Sequence, residues 1–374
     1  MKKVLVTATV QSHLAQFHKP LIEMLKTKGY EVHAAARNNL IDKDGLQLKE
    51  SDKTFDIAFE RSPFNKNNLK AYKELKKLML DYKYDIVHCN TPIAGLITRL
   101  AARPLRKTGT KVIYTAHGFH FYKGAPLKNW LLYYPIEKCL AHLTDKIITI
   151  NQEDYCLASA KFASQIFFVH GTGVNTRKYN IISKGDKDKL RRELGYLSEH
   201  FIILCVGELN KNKNQGTIIR AIAKVRESVP EVKLLLAGDG LMEQTLKNLT
   251  DSLGMNDVVD FLGYRNDLER YLNICDVSVS ASFREGLPLN VMEAMLCEKS
   301  IIASLNRGHK ELIKDGVTGY LLKPEDSLGF CCRILELYSS EKLRNDFGQA
   351  GRLAVQPFIE EAVLDELKLV YEVQ

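Results

Sequence analysis

Phe283-Arg284-Glu285-Gly286-Leu287-Pro288-Leu289-Asn290-Val291-Met292-Glu293-Ala294-Met295 joins a strand to a helix and carries two carboxylates eight residues apart at the junction. The preceding Val277-Ser278-Val279-Ser280-Ala281-Ser282 alternates small and β-branched residues, the pattern of a buried strand. Pro288 suits a first helical turn, where its missing N–H costs nothing. Leu289, Met292 and Leu296 then give one apolar helical stripe. Glu285 therefore belongs to the loop ahead of the helix and Glu293 lies one to two turns inside it. An anion at such a helix start meets unpaired backbone N–H groups and the positive end of the helix dipole. A carboxylate beside it can hold sugar or ribose hydroxyls. The competing reading is a solvated loop Glu followed by a surface helix Glu.

Outward from this junction the chain alternates strand and helix throughout. Lys3–Thr9, Glu31–Arg37, Asp85–Asn90, Lys111–His117, Lys146–Asn151 and Ile166–His170 read as strands of a first parallel sheet. Helices fall between them, such as Asn68–Tyr82 with its Leu69, Tyr72, Leu75 and Met79 stripe. A second sheet uses Phe201–Val206, Lys233–Ala237, Val258–Leu262, Val277–Ala281, Ser300–Ala303 and Tyr320–Leu322. This predicts an α/β protein of two doubly wound domains, with ligand at the carboxyl ends of the strands. The expected division is 1–180, 181–355 and a terminal helix within 356–374, running from Phe358 to Val370 after Pro357.

The 374 residues are 45% hydrophobic and 26% charged, a globular composition too long for one ordinary core. No apolar run reaches membrane-span length, and Met1-Lys2-Lys3 leads straight into a strand. The eight cysteines lack C-x-x-C spacing and read as free thiols of a reducing cytoplasm, with no zinc site. Residues 1–180 hold 28 Lys and Arg against 15 Asp and Glu, whereas 181–374 hold 25 against 30. A basic first half suits an anionic partner: nucleic acid, a phospholipid surface or a lipid diphosphate. Arg99, Arg103, Arg106, Lys107 and Lys111 precede Phe119–Lys123 and Trp130–Tyr134. Cations beside amphipathic aromatics suit an interfacial surface, and equally a solvated helix face beside core aromatics. No nucleic-acid motif accompanies the charge. Neither G-x-x-x-x-G-K-[ST] nor an early G-x-G-x-x-G is present, which argues against a P-loop enzyme and a dinucleotide-dependent dehydrogenase. Asp186-Lys187-Asp188 has a D-x-D pattern but lies in a charged linker, and it is not read as a metal site.

Glu285 with Glu293 resembles the paired-glutamate motif of family-4 glycosyltransferases, a retaining group with the two-domain GT-B fold. Further blocks match in order: Phe201–Asn214 for the strand and phosphate loop, Leu234–Gly240 for the next strand and glycine turn, and Phe261–Tyr264 near the nucleotide base. Gly308–Ile313 and Asp315–Tyr320 close the series. Thr7–His13 with Phe17-His18-Lys19-Pro20 is similar to a bacterial subgroup that builds capsular and exopolysaccharide repeat units. The likeness covers the chain to about residue 325. It implies a GT-B fold of two Rossmann-like, doubly wound parallel-sheet domains facing a cleft.

The resemblance also implies roles. The donor nucleotide-sugar would meet Asn210, Lys213, Gly238, Tyr264, Glu285, Gly286, Leu287, Pro288, Leu289 and Glu293. Lys213 would face phosphate, Glu285 the donor sugar and Glu293 the ribose; His117 and Glu285 would stand at the reacting centre. The Arg that usually follows the loop glycine is here Glu208, which removes a guanidinium that Lys211, Asn210 and Asn214 would have to replace. His13, His18 and Asn90 are the candidate acceptor contacts, and two histidines beside a phosphate can act as an electrostatic clamp. The expected activity is metal-independent, cofactor-free, retaining transfer from a UDP-linked hexose or N-acetylhexosamine to a polyprenyl-diphosphate-linked glycan. It would run in the cytoplasm on the inner membrane face, with the basic first domain against anionic lipid and no nucleic acid involved. The alternatives are a GT-B-fold sugar-nucleotide epimerase and a non-catalytic nucleotide-sugar-binding subunit.

Overall fold

A computed structural model describes residues 1–41 and 46–372. Two compact units divide the chain: Met1–Gly173 together with the segment from Glu360 onward, and Val174–Ile359. Each is built around one all-parallel sheet.

In the first unit the strands are β1 (Lys3–Val10), β2 (Glu31–Arg37), β3 (Lys53–Asp56), β4 (Ile86–Asn90), β5 (Lys111–Ala116), β6 (Lys146–Thr149) and β7 (Gln165–Phe168). Their order is β3-β2-β1-β4-β5-β6-β7, so the winding reverses between β1 and β4. The sequence reading finds six of these seven. The missed β3 is a short edge strand with largely exposed side chains, so it lacks the apolar alternation that marks the others. Alternation elsewhere sorts side chains to the two faces. Val4, Val6 and Ala8 of β1 pack with Leu21, Ile22 and Leu25, while Leu5 packs on the opposite face with Leu75, Met79 and Ile97. Helix α3 (Asn67–Tyr82) buries Ala71, Leu75, Leu78 and Met79, but Leu69 of the predicted stripe is 69% exposed. Small Ala71 occupies the turn where that leucine was expected to reach inward.

The second unit carries β8 (Phe201–Val206), β9 (Val232–Ala237), β10 (Val259–Gly263), β11 (Val277–Ser280), β12 (Ser300–Ser304) and β13 (Gly319–Leu322), in the order β10-β9-β8-β11-β12-β13. All six match the sequence reading to within two residues at each end. Here too the two faces separate: Ile203 and Cys205 join one apolar cluster, Ile202 and Leu204 the other. Asp186 and Asp188 fall on α7 (Lys184–Glu193), where Asp186 pairs with the helix cap Ser183.

The terminal helix α15 spans Glu360–Glu372, starting later than Phe358 because Pro357 sits in a short 3-10 turn, Gln356–Phe358. Val363, Leu367 and Val370 enter the core of the first unit beside β1 and β2. Around that apolar stripe, Glu366 accepts from the backbone N–H and Nδ1 of His170, and Tyr371 bonds His88 at 2.6 Å. Truncation Leu367→Ala should lower the unfolding free energy by about 2–4 kcal/mol. Urea unfolding checks this through a shifted midpoint, and a shift under ~0.5 kcal/mol would mean that α15 is dispensable to that core.

Candidate functional site

In both units the polar side chains of interest gather at the carboxyl ends of the central strands, where the sheet stops burying them. In the first unit β1 ends in Thr9 and Val10 and passes directly into α1 (Gln11–Phe17). His13 lies on α1, His18 links it to α2 (Lys19–Thr27), and His117 follows β5. Their rings converge, with His13 5.0 Å and His18 5.6 Å from His117 between centroids. The Nε2 atoms of His13 and His18 lie 3.3 Å apart, so one carries a proton and the other accepts it.

Asn90 completes the group. Its Nδ2 donates to the Thr7 carbonyl at 3.3 Å, which turns Oδ1 toward His117 Nε2, also at 3.3 Å. His117 therefore donates from Nε2 and keeps its lone pair on Nδ1. The next residue, Thr91, has φ +64°, a strained backbone for a β-branched residue. Its hydroxyl is held by Thr9, from Oγ1 at 2.7 Å and from the backbone N–H at 3.1 Å.

Burial lowers all of these imidazoles. His13 is pushed to about 3, with His117 adding to the effect, His117 to about 4, and His18 well below its ordinary value. His88, bonded to Tyr371 and Thr115, falls to about 3. The rings are thus neutral at pH 7. They offer lone pairs and N–H groups rather than charge, so the electrostatic clamp expected of His13 and His18 is not what this cluster provides. Neutral imidazoles are also metal ligands. Among the described residues the nitrogens of His13, His18 and His117 form the group close enough to hold an ion, all within 4.8 Å of one another.

In the second unit the loop after β8 runs from Gly207 to Asn214. Asn210 Oδ1 accepts the Lys213 backbone N–H at 2.9 Å, closing the turn that carries the lysine. Asn214, at φ +54°, starts α8 (Gln215–Val225) and ties the loop to Ala281 and Pro324 through its side-chain amide. Asn212 exchanges bonds with the next loop, donating to the Arg284 carbonyl at 2.9 Å and accepting from the Phe283 N–H at 2.8 Å. These ties set Lys213 Nζ 2.8 Å from Glu285 Oε1. Burial alone would raise Glu285, but Lys213 and a bond to Ser282 outweigh it and hold the carboxyl below its usual range. Glu208 points outward and is exposed.

Helix α11 (Leu289–Leu296) begins one residue after Pro288, with Gly286 and Leu287 half-buried in the loop before it. Gly238 has φ +145°, and a Cβ there would lie 2.2 Å from the Gly207 carbonyl oxygen, so the two loops can only approach this closely without a side chain. Its N–H donates to the Gly263 carbonyl at 2.8 Å, bringing the segment of half-buried Tyr264 beside it. Glu293 is on the buried side of α11, at 8% exposure. Burial raises its carboxyl to about 7, opposed by a bond from the Tyr179 hydroxyl and by Lys178, and aided by Glu269.

Two residues here were not assigned roles from sequence. Tyr179 lies 114 positions from its partner Glu293, a separation no local pattern reveals. His309, on α12 (Arg307–Leu312), is fully buried and donates Nδ1–H to the Ser304 carbonyl at 2.6 Å. Neighbouring Gly308 touches Glu285 so closely that a Cβ would sit 2.8 Å from the Glu285 Cβ. The block Gly308–Ile313 was the available signal, without pointing to the histidine itself.

With this geometry in place the chain can be set beside known proteins. Residues 3–151 match the family described as Glycosyl transferase 4-like, and residues 186–354 match Glycosyl transferases group 1. A putative glycosyltransferase of Bacillus subtilis, EpsD, is 44% identical over 99% of this chain and 96% of its own length. The chain is a GT-B-fold glycosyltransferase. It belongs with the enzymes of bacterial polysaccharide synthesis. A second relative, the UDP-Gal:alpha-D-GlcNAc-diphosphoundecaprenol alpha-1,3-galactosyltransferase of Escherichia coli, is 31% identical over 74% of this chain and 72% of its own. Among solved structures, Anabaena Alr3699/HepE in complex with UDP and glucose superposes with a TM-score of 0.82 over 99% of both chains at 20% identity, which speaks to the fold.

The raised value of Glu293 has a definite sign. A carboxyl near 7 when folded and 4.5 when unfolded binds its proton more tightly in the folded state. It therefore weakens the fold as pH rises from about 4.5 through 7. In the unliganded protein Glu293→Gln should be more stable than the parent by about 1–3 kcal/mol at pH 8, with the difference shrinking toward pH 5. The histidines act in the opposite sense and cancel in this comparison. Denaturant midpoints at the two pH values decide it, and a pH-independent difference would remove the buried-carboxyl explanation.

Proposed function

We propose that this glycosyltransferase moves a hexose or N-acetylhexosamine from a UDP-linked donor to a glycan on a polyprenyl diphosphate, with retention of anomeric configuration and without a metal cofactor. The observation that carries the reading is the Lys213–Glu285 pair: a cation and a carboxylate 2.8 Å apart, beside the start of α11. A nucleotide-sugar needs one group of each kind, the cation for the diphosphate and the carboxylate for sugar hydroxyls. As donor arrives, Lys213 shifts from Glu285 to phosphate oxygen and Glu285 turns its lone pairs to the sugar. Glu293, raised by burial, recovers part of its cost when ribose hydroxyls donate to it. Exposed Glu208 leaves the phosphate position to Lys213 and to backbone N–H groups.

In this reading the C1–O bond to the diphosphate breaks with its electron pair passing to the leaving phosphate. The acceptor oxygen bonds C1 on the same face, and its proton passes to the departing phosphate oxygen. His117, neutral with Nδ1 as acceptor, orients a hydroxyl at the reacting centre. His13 would bind the acceptor through a neutral hydrogen bond, whereas His18 and Asn90, expected to touch it too, are buried and would act by holding the His13 and His117 rings in place. A double displacement would need a second carboxylate flanking the bond, and Glu293, buried within α11, is a poor candidate. The E. coli relative named for a diphosphoundecaprenol acceptor supports the lipid-linked choice, as does the net positive charge of residues 1–180. The same charge suits work against the anionic inner face of the cell membrane. Among the described residues no helix is long and apolar enough to cross a membrane. Both relatives carry transferase names, which favours transfer over epimerisation or a silent subunit.

Lys213→Ala should weaken UDP binding by about 10- to 100-fold while leaving uridine unchanged, as measured by calorimetry; equal losses for both would remove the phosphate role. Transfer assayed with UDP-sugars and a prenyl-diphosphate glycan should survive EDTA. Activity lost to the chelator and restored by a divalent ion would overturn the metal-free step.

A further inference from the structure

The stretch of cations and aromatics between Arg99 and Tyr134 folds in an unexpected way. Arg99 is fully buried, bonded to Glu137 at 2.8 and 3.1 Å and stacked 3.9 Å from the Tyr114 ring. Phe119 and Phe121 are also buried, and Trp130 and Tyr134 pack on Phe121 at 5.7 and 5.4 Å. The aromatics therefore form core rather than surface. What remains outside on α5 (Leu127–Ala141) is aliphatic: Leu127 is 72% exposed, Leu131 71%, Leu132 47% and Ile136 36%.

At 100° per residue these side chains, with exposed Pro135 and Cys139, cover one half of the helix, and Trp130, Tyr133, Tyr134 and Leu140 cover the other. A helix apolar all round belongs in a core or in lipid, and α5 has only one side against core. The charge on the outer half is of one sign. Lys128 and Lys138 are exposed there, whereas Glu137, the sole acidic residue of the helix, faces inward to Arg99. Lys123 adds a further exposed cation just before the helix. Leucines flanked by lysines, with no exposed carboxylate, match the acyl–headgroup boundary of an anionic bilayer. A protein partner would leave those lysines to be paired by acids of its own, while anionic lipid supplies them everywhere.

We propose that α5 is the membrane-seated element of this enzyme, lying in the plane of an anionic bilayer with Leu127, Leu131, Leu132 and Ile136 among the upper acyl carbons. The inference rests on the lipid-linked acceptor reading above and adds to it the element and the force: apolar insertion, not charge alone. Seated this way, the first unit stays at the surface where a polyprenyl-linked glycan is confined.

The chain holds its own reporter, because its single tryptophan, Trp130, is on this helix, anchored through Nε1–H to the Tyr122 carbonyl at 3.2 Å. The full-length protein is mixed with vesicles of phosphatidylcholine and phosphatidylglycerol, 3:1, followed by flotation and by quenching of Trp130 with lipids spin-labelled high on the acyl chain. The expected result is binding that persists in 0.5 M NaCl, together with quenched Trp130 emission. Leu127→Ser with Leu131→Ser, both on exposed positions, should lower partitioning by about 10- to 100-fold. Transfer to a short-chain, water-soluble acceptor should be unchanged. Binding that salt abolishes, or that the double variant retains in full, overturns the role of α5 while leaving the membrane reading intact. Absence of binding even at low salt overturns both. A dimer in gel filtration that the double variant dissociates would assign the face to a second copy of the chain and overturn the lipid proposal.

Discussion

A parallel sheet covered on both faces leaves its polar chemistry one outlet, the strand ends. Strands such as β1 and β8 are buried on both sides over nearly their whole length, so no polar ligand can approach the sheet across a face. The loops at the carboxyl ends inherit every group that must meet water or substrate. Both units obey the same constraint. It gathers His13, His18, Asn90 and His117 in the first and Lys213, Glu285 and Glu293 in the second, from segments far apart in sequence.

The two gatherings differ in how they treat charge. The first removes it: desolvation and mutual proximity keep four imidazoles neutral, and the bond to the Asn90 amide oxygen fixes which nitrogen of His117 carries the proton. The second retains charge in a matched pair, Lys213 with Glu285, and leaves Glu293 under strain. Buried carboxyls raised in this way recur where ligands bind, because the ligand can supply further hydrogen-bond donors. In the proposed reaction, neutral donors would suit an acceptor whose hydroxyl must stay reactive, and a cation would suit a leaving group that departs as an anion.

The sequence yields most of this frame, and its failures have physical reasons. Strands buried on both faces read as apolar runs, and twelve of the thirteen strands among the described residues were legible; β3 was not, because an exposed edge strand carries no such run. Glu285 and Glu293 were found because their spacing is local and fixed by one strand–helix junction. Tyr179 was missed because its contact with Glu293 forms across the fold; His309 bonds locally to Ser304, but the approach of its helix to Glu285 is tertiary. The Arg99–Tyr134 stretch shows a different limit. Composition showed cations, aromatics and leucines together, but only packing reveals that Arg99 has an internal carboxylate and that the rings face inward while leucines face out. Residue type alone cannot assign a helix its inside when both sides are apolar.

The return of the chain to its first unit bears on how the protein is made. Val363, Leu367 and Val370 complete a core whose other members lie before residue 170. On the ribosome, the first sheet must therefore wait with part of its apolar surface uncovered while nearly two hundred intervening residues are synthesised and form the second unit. Domains usually fold in order of synthesis; here the first to emerge is the last to be sealed. Nascent chains of this enzyme should lean on chaperones longest at their amino-terminal end, and a premature stop before residue 360 would spoil the half of the protein farthest from it in sequence.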